Sequence, residues 1–275
     1  MTGKKYLAII FLLMSLAQTY GQGTICSYVV RDDRAVGLSE DTPCPLFSVV
    51  KFPQALFVAD ALERKGRPLD EEIVVRKADL MQDTWSPMLE LFTGENQTFS
   101  IAKLLRLSLQ ESDNNACEIL FDEFGGPQEV QQYVHELGFK GISIRVGERQ
   151  MMADKESSFQ NTASAKEMAG LLEWFYDHKE DNPSLSFVWR TMSTCISGTS
   201  RIPAAALPGD VVVHKTGTGF PTENGVSAIN DAGIILHPDG SHTIAVIFVL
   251  NHPGSLSNAE KTLSASLKET ITKLQ

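Results

Sequence analysis

Clustered histidine and paired cysteine are what this 275-residue chain lacks. Its six histidines are scattered, and none stands in the H-E-x-x-H spacing that puts two ligands on one helix face. Four cysteines (Cys26, Cys44, Cys117 and Cys195) include no C-x-x-C pair, which argues against zinc. They allow three complete disulfide pairings, and spacing chooses none of them. The G-x-S-x-G nucleophile elbow is missing too, since Gly225-Val226-Ser227-Ala228-Ile229 lacks the last glycine. No glycine-rich phosphate loop follows a strand, and no internal repeat is present. Basic residues are outnumbered 24 to 34, a net charge of −10, so an acidic surface disfavours nucleic acid or anionic membrane as a partner. Beyond residue 17 no apolar run is long enough to cross a bilayer. No metal and no cofactor is expected.

What is present reads as a soluble globular protein, 43% hydrophobic and 21% charged. Lys4 and Lys5 precede an apolar stretch from Tyr6 to Ala17, and small residues Thr19 and Gly21 suit cleavage before Gln22. Residues 1–21 are therefore read as a secretion signal, which predicts a periplasmic or secreted protein, monomeric and without stable membrane association. The rest, 22–275, is read as one unit with strands at both ends and helices between. Strands are expected at Ile25 to Val30, before Cys44, over Val211 to Thr218, and at Ala232 to His237 and Thr243 to Leu250 around a Pro238-Asp239-Gly240 turn. Helices are expected from Ser48 to near Gly66, over Ser100 to Gln110, Asn114 to Phe124, Pro127 to Gly138, Met168 to Asp177, Leu185 to Cys195, and Ser257 to Leu274. Ser164 and Glu167 form a capping box ahead of one of them. The fold class is α+β. An antiparallel sheet is built from both termini (about 22–47 and 196–275), and an all-helical lobe (about 48–195) is inserted into it.

Three short signatures carry the chemistry. Ser48-Val49-Val50-Lys51 puts a hydroxyl and an amine three residues apart on one helix face, about 5–6 Å between Cβ atoms. Ser112-Asp113-Asn114 falls in a turn between two helices, and Lys215-Thr216-Gly217-Thr218 ends a strand. A second S-x-x-K, Ser100 to Lys103, stands only a few residues before Ser112 and reads as an ordinary helix turn. His214, next to Lys215 on a strand, should face the other way and is read as structural.

In this order and spacing, the three signatures resemble those of the class A serine β-lactamases, from about Ile25 to the C-terminus. The resemblance implies acyl transfer through Ser48 to a small-molecule β-lactam, with Lys51 as the base beside it. Ser112 would relay a proton toward the leaving nitrogen, and Asn114 would grip the substrate's acyl-amide. Lys215, Thr216 and Thr218 would meet its carboxylate, joined by Arg201, and the backbone N–H groups of Ser48 and Thr218 would form the oxyanion hole. Trp85 matches an aromatic at the cleft mouth, and Glu148 the carboxylate that activates water for deacylation. Ala153-Asp154, Asn161 and Ala116-Cys117 resemble the branch that contains extended-spectrum cephalosporinases. Phe47, where some carbapenemases have cysteine, tilts the reading toward cephalosporins.

Two departures from that pattern stand out. The family usually has Asn or His four residues after the glutamate, and this chain has Met152, a weak acceptor, so slowed deacylation is expected. About 26 residues separate the expected cleavage point from Ser48, too few for the family's first helix. A penicillin-binding D,D-peptidase, or a β-lactam sensor without turnover, remains an alternative. Glu148 speaks against the first, and Met152 is the residue that favours the second.

Overall fold

The computed structural model describes residues 23–274; the expected secretion signal, and the place where a first helix would be sought, lie outside them. The chain opens with strands β1 (Thr24–Arg31), β2 (Arg34–Leu38) and β3 (Cys44–Pro45), followed by helix α1 (Lys51–Lys65). A hairpin of β4 (Glu72–Arg76) and β5 (Asn96–Ser100) leads into α2 (Ile101–Gln110), α3 (Asn114–Phe124) and α4 (Pro127–Glu136). Then come α5 (Glu148–Ala153), β6 (Thr162–Ala163), α6 (Ala165–His178), α7 (Pro183–Met192) and α8 (Ile202–Ala205). The end of the chain returns to the sheet with β7 (Val211–Thr218), β8 (Pro221–Thr222), β9 (Gly225–Leu236) and β10 (His242–Pro253), closed by α9 (Leu256–Leu274).

The main sheet has the order β2-β1-β10-β9-β7, with every pairing antiparallel. Its first strands pair with its last ones, so the two ends of the chain meet in one sheet, as the strand placement predicts. Alternation sorts each strand onto two cores. Cys26 and Val30 of β1, with Ile244, Val246 and Phe248 of β10, join the large core of the helical side. Val29, Ala245, Ile247 and Val249 face the other way, onto Ala259, Leu263 and Leu267 of α9. Those α9 residues follow the spacing of one helix face. Leu263 is wholly buried there, so Leu263→Ala is expected to cost about 2–5 kcal/mol, read from the denaturant midpoint.

β9 and β10 are longer than the sequence suggests. Asn230 and Asp231 look like breakers in an apolar strand, yet both are fully buried. Asp231 is paired through both oxygens and Asn230 through its amide nitrogen, with Asn230 Oδ1 left without a partner. The Asn230 amide donates to the carbonyl of Pro45 at 2.7 Å, and Asp231 accepts from the backbone of Ile202 at 3.0 Å and from His214. A buried polar group with partners loses little on burial, so the strand runs through them. The β4–β5 hairpin is a further addition in the middle of the chain. Only Val75 and Phe99 in it are buried, which leaves little period-2 signal.

Candidate active site

The segment that carries Ser48 is held against the edge strand β7 by an absent side chain. A Cβ on Gly217 would collide with the carbonyl of Leu46 and crowd Val49. The glycine thus admits the chain's own backbone. Phe47, at φ 48°, turns the chain into a 3₁₀ turn, Phe47–Val50, that runs into α1. Ser48 is the one residue of that turn that is not buried.

Lys51 is fully buried on the first turn of α1, and its ammonium gathers three groups. Its Nζ lies 2.8 Å from Ser48 Oγ, 2.7 Å from Asn114 Oδ1 and 2.6 Å from Glu148 Oε1. A lysine out of water needs such partners, and the carboxylate is the one that neutralises it. Glu148 is 7% exposed and starts the short helix α5. Two devices fix that loop. Asn161 is wholly buried, accepts from the backbone of Arg145 at 2.8 Å and Val146 at 3.1 Å, and donates to the Val146 carbonyl. Arg149, next to Glu148, ties the loop to α3 by ion pairs of 3.0 Å to Glu118 and 3.1 Å to Asp122.

Ser112 sits at φ 59°, a left-handed conformation uncommon for serine, with its Oγ 2.9 Å from the Nζ of Lys215. Asp113 braces this turn. It caps α3 through the N–H of Ala116 at 2.8 Å and accepts from Ser86 at 2.9 Å and from the backbone of Met88 at 2.6 Å. Asn114 is oriented from both sides, by Lys51 on its oxygen and by the Thr84 hydroxyl, 2.8 Å from its Nδ2. Ser100, of the duplicate signature, only caps α2 by accepting from the N–H of Lys103 at 3.2 Å.

On β7 the side chains alternate. Lys215 and Gly217 face the helical side, while His214, Thr216 and Thr218 face the other. Gly219 donates its N–H to Ala228 of β9, so alternation leaves the N–H of Thr218 on the open edge beside Ser48. Lys215 is fully buried. Burial, with the nearby charge of Lys51, pulls its pKa down to about 7. The cation is thus present below about pH 7 and fades above it. KM for an anionic cephalosporin, measured by steady-state kinetics, is expected to rise as pH climbs past 7.

Arg201 is brought to this strand but does not stand free in the cleft. Only 4% exposed, its guanidinium spans the carbonyls of Gly217 (3.0 Å) and Asn230 (2.9 Å), the hydroxyl of Thr218 (2.7 Å) and Glu260 (3.1 Å). It therefore reaches the expected carboxylate position through Thr218. Trp85 is 66% exposed at the cleft wall, with its indole N–H on the Glu111 carbonyl at 2.8 Å. The cleft encloses about 310 Å³, with Ser48, Trp85, Asn114, Glu148, Met152 and Thr218 among its walls. Phe47 and Phe220, which also line the cleft, pack edge-on, and Phe47 packs likewise against Phe159.

Three contributors escape the sequence reading. Thr84 and Ser86 flank Trp85 but carry no signature of their own. Ser197, whose Oγ is 2.9 Å from Thr216 Oγ1, reaches the site only because the segment after α7 runs along β7. All four cysteines are unbridged, with Cys117 fully buried.

Comparison with known proteins shows the family. The family model described as the beta-lactamase enzyme family matches residues 8–272. The extended-spectrum beta-lactamase PER-1 of Pseudomonas aeruginosa is 31% identical over 227 residues, 82% of this chain and 73% of that protein. Beta-lactamase VEB-1 of the same organism is 32% identical over 236 residues, 85% of this chain and 79% of its own. Among solved structures, that of the TLA-3 extended-spectrum beta-lactamase superposes with a TM-score of 0.88 at 28% identity, covering 93% of this chain and 94% of its own.

Proposed function

The chain belongs to the β-lactamase enzyme family and, as a class A member, hydrolyses the amide of β-lactam antibiotics through an acyl-serine; we propose that Ser48 is that serine and that the groups around it divide the two half-reactions. The observation that carries this reading is the Lys51 ammonium, within 2.8 Å of the hydroxyl, the amide and the carboxylate at once.

In acylation the Ser48 oxygen attacks the lactam carbonyl carbon while its proton passes to Lys51, which can hand one on to Glu148 2.6 Å away. The developing oxyanion meets the N–H groups of Ser48 and Thr218. Ser112 gives a proton to the leaving nitrogen and is resupplied along its contact with Lys215. Asn114 accepts or donates to the substrate's side-chain amide, and Thr216 and Thr218 hold its carboxylate over the buried charge of Lys215. Trp85 walls the mouth. In deacylation Glu148, its acylation proton released, takes a proton from a water that attacks the ester carbon. The bond to the Ser48 oxygen breaks, and that oxygen takes a proton back from Lys51, 2.8 Å away.

Met152 supports a slow second half. It lines the cleft four residues after Glu148 with its side chain 43% exposed, where a thioether supplies no strong hydrogen bond to a water. Met152→His is expected to speed deacylation by up to about tenfold, measured by single-turnover stopped flow. Turnover of a chromogenic cephalosporin tests the overall reading. Multiple turnovers are expected, and a stable acyl-enzyme with no hydrolysis would replace the enzyme by a sensor. D-Ala-D-Ala peptide cleavage without cephalosporin turnover would make it a peptidase. The basic and apolar start supports export to the periplasm, and a site made wholly by one chain supports a monomer; N-terminal sequencing of the exported protein and its sedimentation test both.

A further inference from the structure

A buried acid and a buried imidazole stand behind the carboxylate side of the cleft, and the acyl-transfer steps use neither. Asp231 of β9 is fully buried and lies opposite Thr216 of β7, so it shares the sheet face of Thr216 and His214. Both its oxygens meet the Nδ1 of His214, at 2.9 and 3.0 Å. His214 is itself buried, and the residue opposite it is Gly233. A Cβ on Gly233 would collide with the Cβ of His214, so the missing side chain is what gives the imidazole its place.

The same carboxylate reaches a second segment. Asp231 accepts the backbone N–H of Ile202 at 3.0 Å, and the carbonyl of its neighbour Asn230 accepts from the Arg201 guanidinium at 2.9 Å. Ile202 directly follows Arg201, and His214 directly precedes Lys215. One buried carboxylate therefore ties together two stretches of chain. The first delivers Lys215 to the cleft, and the second delivers the guanidinium that holds the Thr218 hydroxyl at 2.7 Å.

Charge explains why the acid and the ring come together. Burial pulls the imidazole's pKa down, but the charge and hydrogen bond of Asp231, with Cys195 adding to them, carry it up to about 10. The ring is thus a cation at neutral pH. Without Asp231 it would be a third positive group buried beside Lys215 and Arg201, and without the ring Asp231 would lose its closest counter-charge.

We propose that Asp231 and His214 are positioning residues, a buried ion pair that fixes Lys215 and Thr218 at the spacing the carboxylate of the lactam's fused ring requires. Neither side chain touches the substrate. The proposal rests on the carboxylate-binding role given above to Lys215, Thr216 and Thr218.

The test compares a chromogenic cephalosporin with its methyl ester, which lacks that carboxylate. The wild type should prefer the acid. Asp231→Asn keeps one acceptor and loses the charge. Its kcat/KM for the acid is expected to fall about tenfold, mostly through KM, as for one lost hydrogen bond to a charged group. The same variant should change kcat/KM for the ester by less than about twofold. His214→Asn, whose amide can still donate to Asp231, should keep more of the acid preference than His214→Ala. A merely structural pair would lower acid and ester alike, in step with the stability lost in denaturant unfolding. Equal losses on the two substrates, or an acid preference untouched in Asp231→Asn and His214→Ala, would overturn the proposal. So would failure of both Asp231→Asn and His214→Asn to fold. A wild type that turns over acid and ester equally would remove the carboxylate site, and the proposal with it. Failure of the β-lactamase reading is distinct, because it shows as no turnover of either compound.

Discussion

Glu148→Ala is expected to form the acyl-enzyme and then stop. Mixed with a chromogenic cephalosporin, it should give a burst of about one equivalent followed by a steady rate reduced by about 10²–10⁴, the usual contribution of a positioned general base. Intact mass after manual mixing should show the adduct on nearly every molecule. The reason lies in what remains when the carboxylate is removed. Lys51 keeps Ser48 at 2.8 Å and Asn114 at 2.7 Å, so the nucleophile and the amine beside it stay in place. The loop keeps its anchors as well, because Asn161 and Arg149 hold it without help from Glu148. What disappears is the cleft carboxylate that sits beside Lys51 and would take a proton from the attacking water. A mutant with neither burst nor adduct would instead mean that acylation runs through Glu148, by way of its 2.6 Å contact with Lys51.

The groups in that experiment were readable in the sequence because acyl transfer needs unlike residue types at fixed short spacings. Ser48 and Lys51 are three apart on a helical turn, and Ser112 and Asn114 flank a turn residue that caps a helix. Strand Val211–Thr218 was legible for another reason, its run of β-branched residues ahead of the glycine. Other features have no local signal. Asn230 and Asp231 look polar until their partners on distant segments are known, so the strand holding them reads as shorter than it is. Arg201 has the right offset from Lys215 to touch the site, but sequence offset cannot distinguish a free guanidinium from one spanning two carbonyls. Ser197 and Cys195 come to β7 through the path of a connecting segment, which is a tertiary fact. His214 was placed on the correct face by strand alternation. Its carboxylate partner, 17 residues away on the neighbouring strand, was not visible from that rule.

Lys51→Ala should do more damage than Glu148→Ala, and of a different kind. Removing the ammonium deprives Ser48 of its base and Asn114 of the contact that orients its oxygen. It also leaves Glu148, 7% exposed, as a buried carboxylate without a counter-charge. Breaking a buried pair from one side typically costs about 3–5 kcal/mol, because the remaining charge keeps its desolvation penalty and loses its compensation. Both half-reactions suffer together, so no burst is expected, and acylation should fall by at least about 10²–10⁴. Stability separates this account from a purely chemical one. Lys51→Ala should lose several kcal/mol in denaturant unfolding at pH 7. Part of the loss should return as pH falls, once the stranded carboxylate can take up a proton, since a carboxyl raised in the folded state binds protons that the unfolded chain releases. The double variant Lys51→Ala, Glu148→Gln provides the cycle. If the two side chains are one charge-compensated unit, the second change should recover much of the lost stability and none of the activity. Additive losses across the cycle would mean that the 2.6 Å contact between them contributes nothing to the fold.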